Sequence, residues 1–377
     1  MGAINVKHTG SGADIALSSD GTSLLLDGTA IGGGGAALEL YAENPSSPIN
    51  PSVTGDNAVG IGYNVTASGF RSLAMAENSV ASGTRSIAIG LGSDATSTQS
   101  LALGAQAQAV SGTDATALTK SRASGASSFA AAIANNTSSY GATGGNSLAI
   151  GKQAKATNSN AYSFGTSSQA TQSSAYALGS NAVASSTYAY CLGGFSTASG
   201  HGSYAIGTSV LAAAQYSVAM GRRSKTTIEG QFAFSGEQFS SLGDSQTSIY
   251  VLRSDTTDAT PEAMATDGPN TTRNTTNQVI LPNNSAYAFH GTIVARQQAS
   301  QGTATAAWKV EGLIRKEGSA GTTVLVNSAT TILDNTPAWG MALSADTTNG
   351  GLKIEVTGAA ATNIRFVATI HTSEVTY

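Results

Sequence analysis

The sequence predicts an all-β protein in three parts. These are a small N-terminal β module (residues 1–50), a parallel β-roll of 14-residue repeats (51–235), and a C-terminal antiparallel β-sandwich of jelly-roll kind (236–377). Three observations carry that expectation. An apolar doublet closed by glycine returns at a fixed interval through half of the chain. No proline occurs between Pro51 and Pro261. The composition is poor in large and charged side chains: of 377 residues 44 are glycine, 11% are charged and 6% aromatic, where an ordinary domain is about a quarter charged.

The same composition excludes several classes. Low charge argues against a disordered tail, which stays unfolded because it is charged and poor in apolar groups. A net charge of −4 offers no reason to expect a nucleic-acid partner. The apolar runs are too short to cross a bilayer, so no membrane insertion is expected. The single cysteine, Cys191, excludes an intrachain disulfide and any multi-cysteine zinc site. No cofactor or metal is expected. The start, Met-Gly-Ala-Ile-Asn-Val-Lys-His, has no apolar h-region and no cleavage site, which marks nothing for secretion.

In the N-terminal module Ile4 and Val6, Ile15 and Leu17, and Leu24 and Leu26 alternate between Gly-rich or Ser-Asp-Gly turns, a pattern of small hairpins. Gly32 to Gly35 form a flexible joint. A phosphate-binding loop there is not supported, since no Lys-Ser/Thr and no helix start follow. Pro45, Pro48 and Pro51 make a stiff connector, because proline locks φ and removes a donor.

The closing glycines are Gly62, Gly90, Gly104, Gly151, Gly165, Gly179, Gly193, Gly207 and Gly221, with Ala76 and Ser235 in the same phase. The step is 14 residues except between Gly104 and Gly151, where 47 residues fit three coils with five extra residues spread between them. One and three places before the glycine the side chain is bulky: Ile150 and Leu148, Phe164 and Tyr162, Leu178 and Tyr176, Leu192 and Tyr190, Ile206 and Tyr204, Met220 and Val218. Two and four places before it the side chain is small, as in Ala177 and Ala175, and small residues return three and five places after it, as in Ala182 and Ala184. Period two means strand, with one bulky and one small face. Two short strands and two turns make one coil of a parallel solenoid, each strand pairing with its equivalent one coil away. The missing prolines agree, since the ladder needs every backbone donor. Roughly thirteen coils at about 4.8 Å each give a rod of about 60 Å. So thin a coil leaves its bulky face uncovered, and the small face is expected to receive other copies. A homo-oligomer follows, most simply three parallel chains around one axis.

The motifs Asn-Ser-Leu-Ala-Ile-Gly at 146–151, Ser-Ile-Ala-Ile-Gly at 86–90 and Ser-Leu-Ala-Leu-Gly at 100–104 resemble the 14-residue head repeat of YadA-type trimeric adhesins. The resemblance covers about half of the chain and implies a trimeric left-handed parallel β-roll. Bacterial members of that family carry a signal peptide, heptad stalks and an outer-membrane barrel anchor, and this chain shows none of the three. The same roll serves bacteriophage tail fibres and other virion appendages, which assemble in the host cytoplasm and need neither export signal nor anchor.

Beyond the roll, Arg222, Arg223 and Lys225 form the densest basic cluster. The charge is −4 over residues 1–51, +4 over 52–235 and −4 over 236–377. The cluster reads as a collar where the cross-section changes; an anionic-glycan site is the competing reading. From about Gly236 eight longer strands are expected, at 248–252, 278–281, 287–295, 306–315, 322–326, 339–343, 352–356 and 364–370. One inward face would carry Tyr287, Phe289 and Ile293, then Trp308, Val310 and Ile314, then Leu352, Ile354 and Val356, then Ile364, Phe366 and Ile370. Trp308 and Trp339 are expected in the core rather than as sugar platforms, and residues 254–277 as a long loop suited to binding.

Nothing points to catalysis. Glycoside hydrolysis needs two adjacent carboxylates, whereas Asp56, Glu77, Asp94, Asp114 and Glu229 share no phase along the roll. Asp255 with Asp258 and Glu311 with Glu317 look solvated. His8, His201, His290 and His371 are scattered. Cys191 stands where other repeats have Ala or Ser, and so is a small packed residue. Tyr162, Tyr176, Tyr190 and Tyr204 share one phase and should stack as a ladder. The expectation is a non-enzymatic homotrimeric virion fibre. Its N-terminal module would meet other tail proteins, and its C-terminal module a host-surface glycan or protein. The catalytic, cofactor and metal residues expected are none, and the receptor-binding residues are not identified. A bacterial surface adhesin fragment and a purely structural head spike are the alternatives, with a depolymerase behind them.

Overall fold

The computed structural model describes residues 49–133, 139–269, 271–335 and 337–377, together with five short backbone strands before residue 49. His8, Gly32 to Gly35, Pro45 and Pro48 lie outside the described residues. Apart from one 3-10 turn at Ala320–Thr322, every regular element described is a β-strand. The chain forms two compact units, Met1–Lys120 and Ser121–Tyr377.

In the first unit Ile4–Val6, Ile15–Ser19, Leu24–Leu26 and Thr29–Ile31 form an antiparallel meander, as the alternation there predicts. Leu38–Leu40 then pairs parallel with Val59–Ile61, so parallel pairing begins ahead of the proline cluster. Coils follow in register: Val59 pairs with Leu73, Leu73 with Ile87, and Ile87 with Leu101. The next partner of Leu101 is Thr116, one residue beyond the regular step.

The second unit carries eight further two-residue strands, from Arg122–Ala123 to Lys225–Thr226, on one side of the coil. Three- to five-residue strands from Phe129–Ala131 to Phe232–Ser235 make the other side. Apart from the one-residue offset at Thr116, the extra residues are not spread out as expected. Phe129 pairs with Leu148 and Ala123 with Ala142, so the insertion falls in one place, between Ile133 and Gly141. A parallel ladder takes up extra residues at one turn far better than as small register errors at three, because an off-register coil would leave several donors unpaired.

The interior of each coil is lined by small residues. Ala175, Ala177, Ala182, Ala184, Ala189 and Cys191 are fully buried, and Ser163, Ser168, Ser196 and Ser203 occupy equivalent places. The bulky partners point outward. This overturns the expectation that the small face receives other copies, since that face is the coil's own lining. Two strands of two and three residues, closed by two tight turns, leave little interior width, and among the described roll residues Ile133, beside the insertion, is a rare fully buried side chain of leucine size. The turns need left-handed backbone about every seven residues, at Asn57, Asn64, Arg71, Asn78 and Arg85, with φ between 51° and 58°. Asparagine tolerates that geometry.

Closing glycines answer a second constraint. Gly179 has φ +137°, and a Cβ there would lie 2.8 Å from the carbonyl carbon and oxygen of Gly193 in the next coil. We therefore expect Gly179→Ala to lower stability by about 1–3 kcal/mol, the scale of backbone strain at such positions. A thermal unfolding scan with an unchanged melting temperature would contradict this account of the repeat.

The roll continues directly into the sandwich. Phe232 and Phe234 of its last strand pair antiparallel with Ile249 and Thr247 at the start of Ser245–Thr256. The large sheet then runs Ser245–Thr256, Ile364–Thr376, Ser285–Gln297, Thr305–Lys316, Val324–Asp334, all antiparallel. The last strand thus returns beside the first of a three-strand meander, as in a Greek key. A smaller sheet is built on Gly351–Thr357. Pro261–Ala263 and Val279–Ile280 lie along one edge and Gly340–Asp346 along the other. All twelve residues of the predicted inward face are buried in one core between the sheets, with Trp308 and Trp339 packed on Phe366. Both indoles are therefore structural.

Candidate functional site

Three surfaces stand out, all on the second unit. The first is the outer face of the roll. Tyr162, Tyr176, Tyr190 and Tyr204 stack in a ladder with ring centroids 4.8, 4.6 and 4.9 Å apart, nearly coplanar at 4–6°. These spacings equal the interstrand distance of a β-sheet, as one-per-coil placement requires. Beside the ladder runs an apolar row in which Leu178 is 50% exposed, Leu192 39%, Met220 38% and Phe234 44%. Through Phe232 and Phe234 this face joins the outer face of the large sheet at Ile249 and Thr247.

A further aromatic group at the turns was not legible from the repeat. His201 lies edge-on between Tyr188 and Tyr216, at 5.6 and 5.5 Å. Tyr188, Phe195 and Tyr216 have φ of 57°, 57° and 52°, where other coils place Asn, Ser, Gly or a flexible polar residue such as Gln or Arg. Bulky residues are uncommon in that region and are strained there.

The second surface is the collar. Arg222 and Arg223 both pair with Glu237, the latter with Nε 2.9 Å from Oε1 but outside hydrogen-bond alignment. The backbone of Lys225 exchanges two bonds with the Gln246 amide, each 3.0 Å. The basic cluster thus holds the junction together and does not converge on a cleft. Beneath it Gln231 takes the place of an interior Ala or Ser. Its amide accepts from the N–H groups of Thr227 and Ile228 and donates to Ser248 and Tyr250. Tyr250 in turn donates to the buried Glu374, which also accepts from Gln246. Burial above all, and then the Glu374 charge, pushes the Tyr250 and Tyr287 phenols well above their usual range, so both stay neutral.

Residues 254–277 are not the free loop expected. Residues 254–256 extend the first strand, Pro261–Ala263 joins the smaller sheet, and Ala265 bridges to Arg253. Asp267 and Asn277 tie the remainder, and the Glu229 N–H donates to Thr276 O. That fold-back brings Glu229 into the field of Asp267, and burial first, then Asp267, raises its carboxyl. Lys309 pairs with Glu311 at 3.3 Å and Arg315 with Glu317, both on the solvated face. Asp258, also solvated, is lowered by the Thr260 N–H and hydroxyl.

The third surface is a cleft of about 450 Å³ at the far end of the large sheet, lined by Asp255, Arg296, Gln297, Gln298, Asn363 and Arg365 among others. No sequence motif marked it, because its residues come from three strands distant in sequence.

Among the described residues no cluster of three or more His, Cys, Asp or Glu is arranged to hold a metal, and no helix is long and apolar enough to cross a membrane. Cys191 is fully buried, with Sγ 3.1 Å from Ser196 O. Burial pushes its thiol up to about 11. It should therefore resist a soluble disulfide reagent at pH 8 and react fully once the chain is denatured; rapid labelling of native protein would contradict the closed coil.

Asp244 supplies a pH-dependent lock on the collar loop. Burial works to raise its carboxyl, but the N–H groups of Ser241, Ser240 and Phe239 outweigh it and hold it below the usual range. A carboxyl lowered on folding stabilises fully above the unfolded value, about pH 4, and loses that contribution as pH falls through the folded value. Asp244→Asn should accordingly lower the melting temperature at pH 7, with the gap to wild type closing as pH drops below about 4. A gap independent of pH would remove the charge from this account.

Fold and surfaces together define a repeat-built β-solenoid with an uncovered apolar face, ending in a β-sandwich. Residues 67–93, 95–118, 142–168 and 198–224 match the YadA head domain repeat, bearing out the resemblance read from the motifs. No curated protein matches the chain. Among solved structures, similarity is found to the tailspike protein gp49 of Acinetobacter baumannii bacteriophage Fri1, titled a capsular polysaccharide depolymerase. Identity is 9% and the TM-score 0.23, over 84% of this chain and 63% of that one. Similarity is also found to the tailspike protein of Acinetobacter baumannii phage AM24, at 8% identity and TM-score 0.18, over 89% of this chain and 51% of that one. The chain thus spans less than two thirds of either tailspike, and likeness at these scores defines no common fold.

Proposed function

We propose that the protein is a trimeric, non-enzymatic adhesive fibre of a phage tail. In this reading residues 1–50 attach to the particle, 51–235 form the shaft and 236–377 meet the host surface. The observation that carries it is the uncovered apolar face of the roll. Bulky side chains recur along the described coils, touch one another along the axis and stay open to water sideways, and monomeric soluble proteins rarely expose contiguous patches beyond a few hundred Å². Identical faces are satisfied by cyclic closure, and the matched head repeat is that of trimeric adhesins. Adhesion then works by avidity, as three tips on one stiff shaft turn weak contacts with a repetitive glycan into firm attachment. The bacterial cell surface is the alternative location, as the same repeat serves surface adhesins.

Light scattering should return three times 37.5 kDa for the purified chain. Placing Asp at both Leu178 and Leu192 should give monomers, because six carboxylates could not be buried together in a closed trimer. Labelled chain should decorate host cells and compete with particle attachment. A monomeric wild type would refute the assembly. A depolymerase reading would rest on Glu229 and Asp267, and release of reducing ends from host polysaccharide, abolished by Glu229→Gln, would replace adhesion with hydrolysis.

A further inference from the structure

The distal cleft has a charge arrangement that the fold itself does not satisfy. Arg296 and Arg365 stand directly opposite each other on adjacent antiparallel strands. Like charges in that relation destabilise a sheet. Neither guanidinium is neutralised within its own strand. Arg296 donates to the carbonyl of Thr303. Arg365, its side chain 83% exposed, has a carboxylate neighbour in Asp255, with Nε 3.7 Å from Oδ2. Among the described residues, Arg365 alone of the two has a carboxylate within 4 Å, and that contact is loose. Arg253 borders the adjoining cleft of about 200 Å³, which also contains Asp255 and Arg365.

Amides surround the pair, and their arrangement is fixed. The Asn363 amide donates to Gln298 Oε1 at 2.8 Å, the Asn363 N–H to Gln301 Oε1 at 2.7 Å, and the Gln297 amide to Gln301 O at 2.9 Å. A planar guanidinium fork matches a carboxylate in bidentate fashion, and side-chain amides both donate to and accept from hydroxyls. The main cleft, about 450 Å³, is of the size that small-molecule sites occupy. It lies ten residues along the first long strand from the collar, Ser245 to Asp255, or about 33 Å at 3.3 Å per residue.

From this geometry we infer that the cleft between Arg296 and Arg365 binds a saccharide unit carrying a carboxylate. The anion sits between the two guanidiniums in place of Asp255, and the amides of Gln297, Gln298 and Asn363 hold the ring hydroxyls. This names the ligand class of the adhesive tip and rests on the adhesive reading above only for its biological setting.

The test measures binding of the full chain to immobilised polygalacturonate, dextran and dextran sulfate. Polygalacturonate should bind in preference to both others and be displaced by free galacturonate. Arg296→Gln and Arg365→Gln should each weaken it tenfold or more. Arg315→Gln, which removes an equal charge outside the cleft, should leave it unchanged. Asp255→Asn should tighten it severalfold, a gain that misfolding cannot produce. No binding of polygalacturonate, equal or tighter binding of dextran sulfate, equal loss with Arg315→Gln, or indifference to both cleft arginines would overturn the assignment. Cell adhesion separates this from the wider reading. Adhesion that survives both arginine substitutions sinks the site and spares the fibre. Arginine-dependent polysaccharide binding by a chain that adheres to no cell spares the site and sinks the fibre.

Discussion

A coil of two short strands has almost no inside, and the other features of the roll follow from that. Its interior admits Ala and Ser, with Val65, Ile133 and Val210 as rare larger members, so burial of large side chains contributes little to holding it closed. What remains is the parallel ladder, in which donors such as those of Tyr162, Tyr176 and Tyr190 are met one coil on at 2.8–2.9 Å. Large apolar residues, having no place inside, are displaced to the surface. There they stack on one another along the axis and stay open to water sideways. The roll is thus saturated along its axis and unsaturated across it, which is the physical basis for expecting sister chains.

A solenoid must also end, since its last coil exposes a ladder edge and an open interior. Here the interior changes character before the strand does. Gln231 enters where Ala or Ser stood and carries the hydrogen bonds of the last turn into Ser248 and Tyr250, while Ile228 joins the sandwich core. The outer strand finds an antiparallel partner in Ser245–Thr256, so one sheet passes from roll to sandwich. Asp244 and the Glu237 ion pairs close the loop between them.

Period and alternation are local properties, and what depended on them was legible. The tyrosine ladder, the packed cysteine, the inward face of the sandwich and the role of both tryptophans could each be read from neighbours two or fourteen residues away. Pairings of distant segments could not. Glu229 and Asp267, Glu374 among Tyr250, Thr372 and Gln246, and Arg296 opposite Arg365 are brought together by strands whose order no spacing encodes. Residues 254–277 looked like a loop because their Thr- and Asn-rich composition is that of loops; their pairing with Arg253 and Gly351–Thr357 is a tertiary fact.

The sequence by itself determined the coil, its register and its close-packed glycines, because a residue repeated every fourteen places meets its own equivalent and little else. It also determined that two faces differ, but not which one is inside. That was decided by tertiary structure: when turns close two strands so tightly, volume overrides hydrophobicity, the alanines go in and the tyrosines and leucines stay out.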